Sequence, residues 1–161
     1  MTRVGVIFEI PLSDGRAAYG QYVIKDKMGP IIQVFNLITR ERPDLDTIMG
    51  SGQMFPPVIT GLSAALRTGF WIQIGYKNVE RLVYPGFVST FENEKTGEAR
   101  IWFYWDGEKD IKLGAKLPEE YKNMEFLMVW DPHDVVIRIE TGEYPFPYRD
   151  LILYNKYTPR K

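Results

Sequence analysis

The stretch from Val4 to Lys25 limits the fold more than any other, because two alternating apolar runs there flank a turn dipeptide. Val4, Val6, Phe8, Ile10 and Leu12 fall on alternate positions and so share one face of an extended strand. Ala18, Gly20, Tyr22 and Ile24 make a second alternating set. Between them, Asp14-Gly15 suits a type I′ turn, whose two central residues both need positive φ. Gly20 leaves a gap where a bulge, a bend or another backbone can sit. The pattern predicts the opening hairpin of a small, twisted antiparallel sheet, partly closed or barrel-like. Asp14-Gly15-Arg16 and Tyr19-Gly20 read as structural, since Asp-Gly turns are common and most do nothing else.

Downstream, Ile31 to Ile38 is apolar on both faces, as a central strand would be. Thr39 to Gln53, punctuated by Pro43, Gly50 and Gly52, lacks a sustained period. It reads as an exposed loop with a helical turn around Leu45 to Met49, and as a candidate contact surface. Pro56-Pro57 restricts the chain before Val58-Ile59-Thr60, leaving a short strand at most. Leu62 to Thr68 is expected as a short middle helix stopped by Gly69. Phe70 to Ile74 reads as a buried strand ending at Gly75, with Trp71 in the core and its indole N–H needing an acceptor.

Phe87 to Phe91 and Ala99 to Trp105 should pair as a hairpin around Asn93 to Gly97, with Ile111 and Leu113 on a further return strand. Trp102 and Tyr104 then share one face, Phe103 and Trp105 the other. One aromatic pair is therefore either covered or exposed. Cover by the late helix is the commoner arrangement, while an exposed pair beside acidic residues makes a protein-binding surface. Met124 to Trp130 resembles one more strand. Asp131 as cap, Pro132 at the first position, Asp134 in the first turn and Gly142 as stop predict one late helix over Pro132 to Thr141. Val135, Val136, Ile137 and Ile139 keep a strand there as the alternative. Tyr144 to Tyr148 is extended by its prolines, Leu151 to Tyr154 reads as an edge strand, and residues 156–161 as a frayed tail. The class expected is mainly β (α+β), with a single domain over residues 1–161.

The net charge is only -1, but it is unevenly spread. Residues 1–91 hold nine Lys/Arg against seven Asp/Glu, residues 92–145 seven against thirteen, and residues 146–161 four against one. An acidic middle repels nucleic-acid phosphates and attracts basic proteins, so the expected partner is a protein rather than nucleic acid. A solvated surface with an ordinary excess of carboxylates explains the run equally well. No cysteine is present, which removes disulfides, a thiolate nucleophile and Cys-based metal sites. The first residues are interrupted by Glu9 and Pro11, and no run approaches the length of a membrane span, so a cytoplasmic protein without membrane attachment is expected.

Motifs that carry chemistry are scarce. His133 is the one histidine, with no His-x-x-x-His spacing around it and no Gly-x-Ser-x-Gly or Gly-rich phosphate loop elsewhere. Asp106, Glu108 and Asp110 alternate and could hold a hard cation, though a solvated hairpin tip accounts for them as well. No catalytic residue, metal site or cofactor is assigned.

Pro11-Leu12-Ser13-Asp14-Gly15, the pair Tyr19-Gly20, Trp71-Ile72-Gln73-Ile74-Gly75 and the proline-centred Pro85-Gly86-Phe87-Val88 together resemble bacterial immunity protein family 26, grouped in some classifications with a phosphotriesterase-like protein. The resemblance marks Asp14, Gly15, Tyr19, Gly20, Trp71 and Gly75 as structural positions. It implies a mostly β protein that binds and neutralises a cognate bacterial toxin by occlusion. The acidic middle adds a basic target such as a nuclease, with Glu92, Glu94, Asp106, Glu108 and Asp110 as the expected contacts. Two alternatives stay open: a phosphotriesterase-like hydrolase, suggested by the grouping alone and opposed by the lack of firm metal ligands, and a plain interaction module.

Overall fold

The computed structural model describes residues 2–80 and 82–159. Ten strands follow in chain order among them: β1 (Val6–Pro11), β2 (Ala17–Asp26), β3 (Gly29–Phe35), β4 (Gln53–Thr60), β5 (Ile72–Tyr76), β6 (Phe87–Glu92), β7 (Ala99–Trp105), β8 (Asp110–Gly114), β9 (Glu125–Phe126) and β10 (Val129–Trp130). The helices are α1 (Leu45–Met49), α2 (Leu62–Arg67), α3 (Pro132–Thr141) and α4 (Tyr148–Tyr154), with a 3-10 turn at Glu119–Tyr121. The chain divides into two compact units, Met1–Val83 with Val129–Gly142 and Tyr84–Met128 with Glu143–Lys161. The mainly β, α+β class is as expected. The strands, however, form two open sheets instead of one partly closed sheet or barrel, and α1 and α4 add to the middle and late helices.

The first unit holds a six-stranded sheet in the order β10-β4-β3-β2-β1-β5. Its opening hairpin turns differently from a type I′ turn. Gly15 N–H donates to Leu12 O at 3.4 Å, Leu12 N–H donates to Arg16 O at 2.8 Å, and Gly15 alone takes positive φ, at 85°. This is a three-residue loop, a type I turn followed by a left-handed glycine. The Asp14 carboxylate favours it by accepting the Arg16 N–H at 3.0 Å.

In the second strand Gly20 makes room for an aromatic ring. A Cβ there would lie 2.6 Å from Phe8 Cε2 and 2.9 Å from Gln33 O. The Phe8 ring in turn stacks on Trp71, with centroids 5.3 Å apart and planes within 4°. Trp71 is fully buried as expected, but its indole N–H meets no acceptor. It also precedes the strand rather than lying in it: β5 runs Ile72–Tyr76 and is a half-exposed edge strand, not a buried one.

Two further expectations change in this unit. The Thr39 to Gln53 stretch is not simply exposed. Asp44 caps α1 by accepting the Thr47 N–H at 2.7 Å, and Ile48 is fully buried in a cluster with Ala17, Tyr19 and Phe35. Gly75 is what lets α1 close on the sheet, since a Cβ there would fall 2.7 Å from Leu45 Cδ1. Strand β4 starts at Gln53 and runs through Pro56 and Pro57. It can do so because β10 pairs only with Ile59 and Thr60 on the outer side, while on the inner side the register with β3 shifts between Val58 and Phe55, so neither ladder needs the prolines' N–H. Helix α3 forms with the predicted bounds and caps. Val135 and Ile139, four apart, are its buried pair, so the β-branched residues serve a helical stripe and not a strand.

The second unit carries a four-stranded sheet in the order β8-β7-β6-β9. Trp102, Val88, Ala99, Leu117 and Phe126 form its core with Leu151 and Ile152 of α4. The edge strand expected over Leu151 to Tyr154 is thus a helix. Tyr148, Leu151 and Ile152 fall at helical spacing, and burying the two aliphatic side chains is worth roughly 1.5–3 kcal/mol each. Asn155 ends it in the left-handed conformation at φ 60°, where its Oδ1 accepts the Trp102 indole N–H at 2.7 Å. The segment Met124 to Trp130 divides into β9, which pairs parallel to β6 in this unit, and β10 of the first. Of the expected tail, Lys156 bridges Glu98 and Tyr157 N–H donates to Gly97 O at 3.0 Å; residues 160 and 161 lie outside the described residues.

Candidate functional site

The five carboxylates expected to meet a partner are divided by one strand. Glu92 ends β6 and Glu94 sits in the turn that follows it, whereas Asp106, Glu108 and Asp110 surround the turn from β7 to β8. These turns lie at opposite ends of β7, whose seven residues span about 20 Å. Asp106 is occupied with its own turn: its Oδ1 accepts the N–H of Glu108 at 2.8 Å and of Lys109 at 2.9 Å, and these backbone bonds hold its carboxyl below the usual range. Folding also dilutes the acidic run. The first unit holds ten basic and ten acidic residues, the second ten and eleven. Any attraction for a basic partner is therefore local to these turns rather than a field of the whole unit.

On the second unit's sheet the two aromatic faces have different fates. Trp102 is fully buried beneath α4, the helix that stands where an edge strand is expected, while Tyr104 is half-buried and lies 5.5 Å from Tyr121. On the opposite face Phe91 packs edge-on to Phe103 at 5.8 Å and is still 69% exposed. Phe91 precedes Glu92, and neither Glu92 nor Glu94 has an ion-pair partner among the described residues. The turn beneath them is rigid: Asn93 Oδ1 accepts the N–H of Lys95 at 2.9 Å and of Thr96 at 3.3 Å. Sequence reasoning singled out the aromatics of β7 and passed over Phe91, although the alternation Phe87, Ser89, Phe91 placed it on the same face as Phe103.

A second feature lies in the first unit, where the sequence had given no hint of one. Gln53 Nε2 donates to Gln33 Oε1 at 3.1 Å, Gln33 Nε2 to Gln21 Oε1 at 3.0 Å, and Gln21 Nε2 to the carbonyl oxygens of Lys77 at 3.0 Å and Gly5 at 3.4 Å. This amide ladder crosses three adjacent strands. Gln21 and Gln33 line a groove of about 550 Å³ together with Asp46 and Met49 of α1 and with Lys77, Asn78 and Glu80. Gln21 is 1% exposed, so its satisfied amide is a fixed part of the floor.

His133 takes part in neither feature. Its side chain is 74% exposed, its Nδ1 lies 2.9 Å from Asp131 Oδ1, and its ring stacks on Phe70 at 4.2 Å. Among the described residues no group of three or more His, Asp or Glu side chains is placed to hold a metal ion, and no helix is long and apolar enough to cross a membrane. Asp14 and Gly15 shape the turn, Gly20 and Trp71 hold Phe8, Gly75 admits Leu45, and the Tyr19 hydroxyl lies 2.8 Å from Thr39 Oγ1.

No curated protein and no solved structure matches the chain. The family model described as Immunity protein 26 does, over residues 3–93, more than half of the sequence. The matched residues take in the opening hairpin, Trp71, the glutamine ladder, Phe91 and Glu92, but not Glu94, Asp106, Glu108 or Asp110. On that match the chain belongs to the immunity protein 26 family and is an immunity protein to a toxin.

Proposed function

We propose that the protein binds its cognate toxin directly and neutralises it by steric and electrostatic occlusion, without catalysis of its own, in the cytoplasm of the cell it protects. The observation that carries this reading is the end of the β6–β7 hairpin, where exposed Phe91 is followed in the chain by Glu92 and Glu94, carboxylates with no ion-pair partner among the described residues. An exposed aromatic ring on a strand, with carboxylates next to it along the chain, has the make-up of an interface anchor. Asp106, Glu108 and Asp110 form a second acidic contact at the far turn. Carboxylates at both ends of one strand suit a basic partner, and a nuclease toxin, whose own substrate is polyanionic, is the target class this favours.

The test is co-expression with the toxin encoded beside this protein. The expected result is survival of the host and recovery of a stable complex, with protection lost when Phe91→Ser is combined with Glu92→Gln and Glu94→Gln. Unchanged killing in the presence of the wild-type protein would overturn the reading. So would stoichiometric metal together with organophosphate turnover that disappears on chelation.

A further inference from the structure

The polar groove of the first unit has a definite hydrogen-bonding character, found by counting the valences its floor leaves open. Both amide hydrogens of Gln21 are spent on the carbonyls of Gly5 and Lys77, and its oxygen, which takes one bond from Gln33, keeps one lone pair. Gln33 keeps one N–H and one lone pair, since its nitrogen serves Gln21 and its oxygen serves Gln53. The floor therefore offers more acceptors than donors. The border repeats the imbalance: the carboxylates of Asp46 and Glu80 outnumber in lone pairs the N–H donors of the Lys77 ammonium, which approaches Asp46 only to 3.8 Å, and of the Asn78 amide, whose oxygen accepts from the Tyr76 hydroxyl.

A ligand that complements such a groove is rich in donors, carries positive charge and needs no donor in return. Arginine fits on each count, because its guanidinium has five N–H groups in a planar fork and no acceptor. At about 550 Å³ the groove has room for the whole side chain and the backbone that bears it. All its lining residues also lie within the stretch matched by the family. We infer that this groove receives an arginine side chain of the toxin, an assignment that rests on the immunity reading above and adds to it a second point of attachment on the other unit.

The experiment titrates the full-length protein with acetyl-Gly-Arg-Gly-amide while the side-chain amide resonances of Gln21 and Gln33 are followed by NMR. The arginine peptide should shift both resonances. The citrulline counterpart, isosteric but uncharged, should not. In the double variant Asp46→Asn with Glu80→Gln, which changes charge but hardly volume, the apparent affinity should fall at least about tenfold. Absence of shifts at the two glutamines, equal shifts with citrulline, or equal affinity in the double variant would each overturn the assignment. Protection assays separate this claim from the one beneath it. If the wild-type chain protects and a correctly folded double variant protects equally well, the groove assignment falls while the immunity reading stands. If the wild-type chain gives no protection, the immunity reading itself falls and the groove loses its toxin.

Discussion

The Phe8 ring fills the space that any side chain at Gly20 would need, 2.6 Å from where its Cβ would be. The same ring is stacked on Trp71, so it cannot swing aside without breaking that stack. Gly20→Val should therefore cost about 1–3 kcal/mol, the usual penalty of overpacking a filled core, and Gly20→Ala should fall at the lower end. Urea denaturation followed by tryptophan fluorescence measures both, and a neutral Gly20→Val would show that the ring has another place to go.

Asn155 does two things at once for the second unit. Its left-handed backbone ends α4, and its side chain accepts the buried Trp102 N–H. Asn155→Gly keeps the backbone geometry but leaves the indole unpaired, for a loss of about 1–3 kcal/mol. Asn155→Ala gives up both and should be the less stable of the two, by about 1 kcal/mol. Thermal melts of the pair give the order directly.

The protein should lose stability toward acid through its turn and cap aspartates. Asp14, Asp44, Asp106 and Asp131 all have carboxyls held below the usual value of 3.8, in each case chiefly by a backbone N–H: of Arg16, Thr47, Lys109 and His133 respectively. A depressed carboxyl pKa contributes stability above the unfolded-state value, and that contribution drains away as pH falls through the folded-state value. The melting temperature should thus be flat from neutrality to about pH 5 and drop below about pH 4. Asp131→Ala, which removes the α3 cap, should cost about 1 kcal/mol at pH 7 and flatten part of the acid limb.

Phe91 should matter for binding and not for folding. At 69% exposure its replacement by Ser should leave the denaturation midpoint within about 0.5 kcal/mol of wild type. An interface anchor of this kind is worth about 2 kcal/mol or more, so complex formation with the toxin should weaken about thirtyfold. Biolayer interferometry on the purified pair reads this, and an unchanged affinity would remove Phe91 from the interface.

Much of the framework could be read from local chemistry. Helix α3 was legible because its cap, first-turn proline and terminal glycine act within a few residues of one another. The hairpins announced themselves through alternation and turn residues. What escaped depends on neighbours distant in sequence. Strand β4 tolerates Pro56 and Pro57 because its register with β3 shifts there and because β10, some seventy residues later, stops short of them. Helix α4 owes its form to the Trp102 face that it covers, although the prolines before it suggested extended chain. For the site, the carboxylates were visible as a cluster in sequence, but the length of β7 sets them apart in space. The groove was invisible, because single glutamines on β2 and β3 become a floor only through the pairing register.

The first unit closes its sheet with Val129–Trp130, where the Thr60 hydroxyl donates to Trp130 O at 2.7 Å. Some forty-five residues of the other unit must leave the ribosome before that seam can be sewn. A piece cut to the family-matched stretch, residues 3–93, lacks that seam altogether and leaves the outer edge of β4 bare.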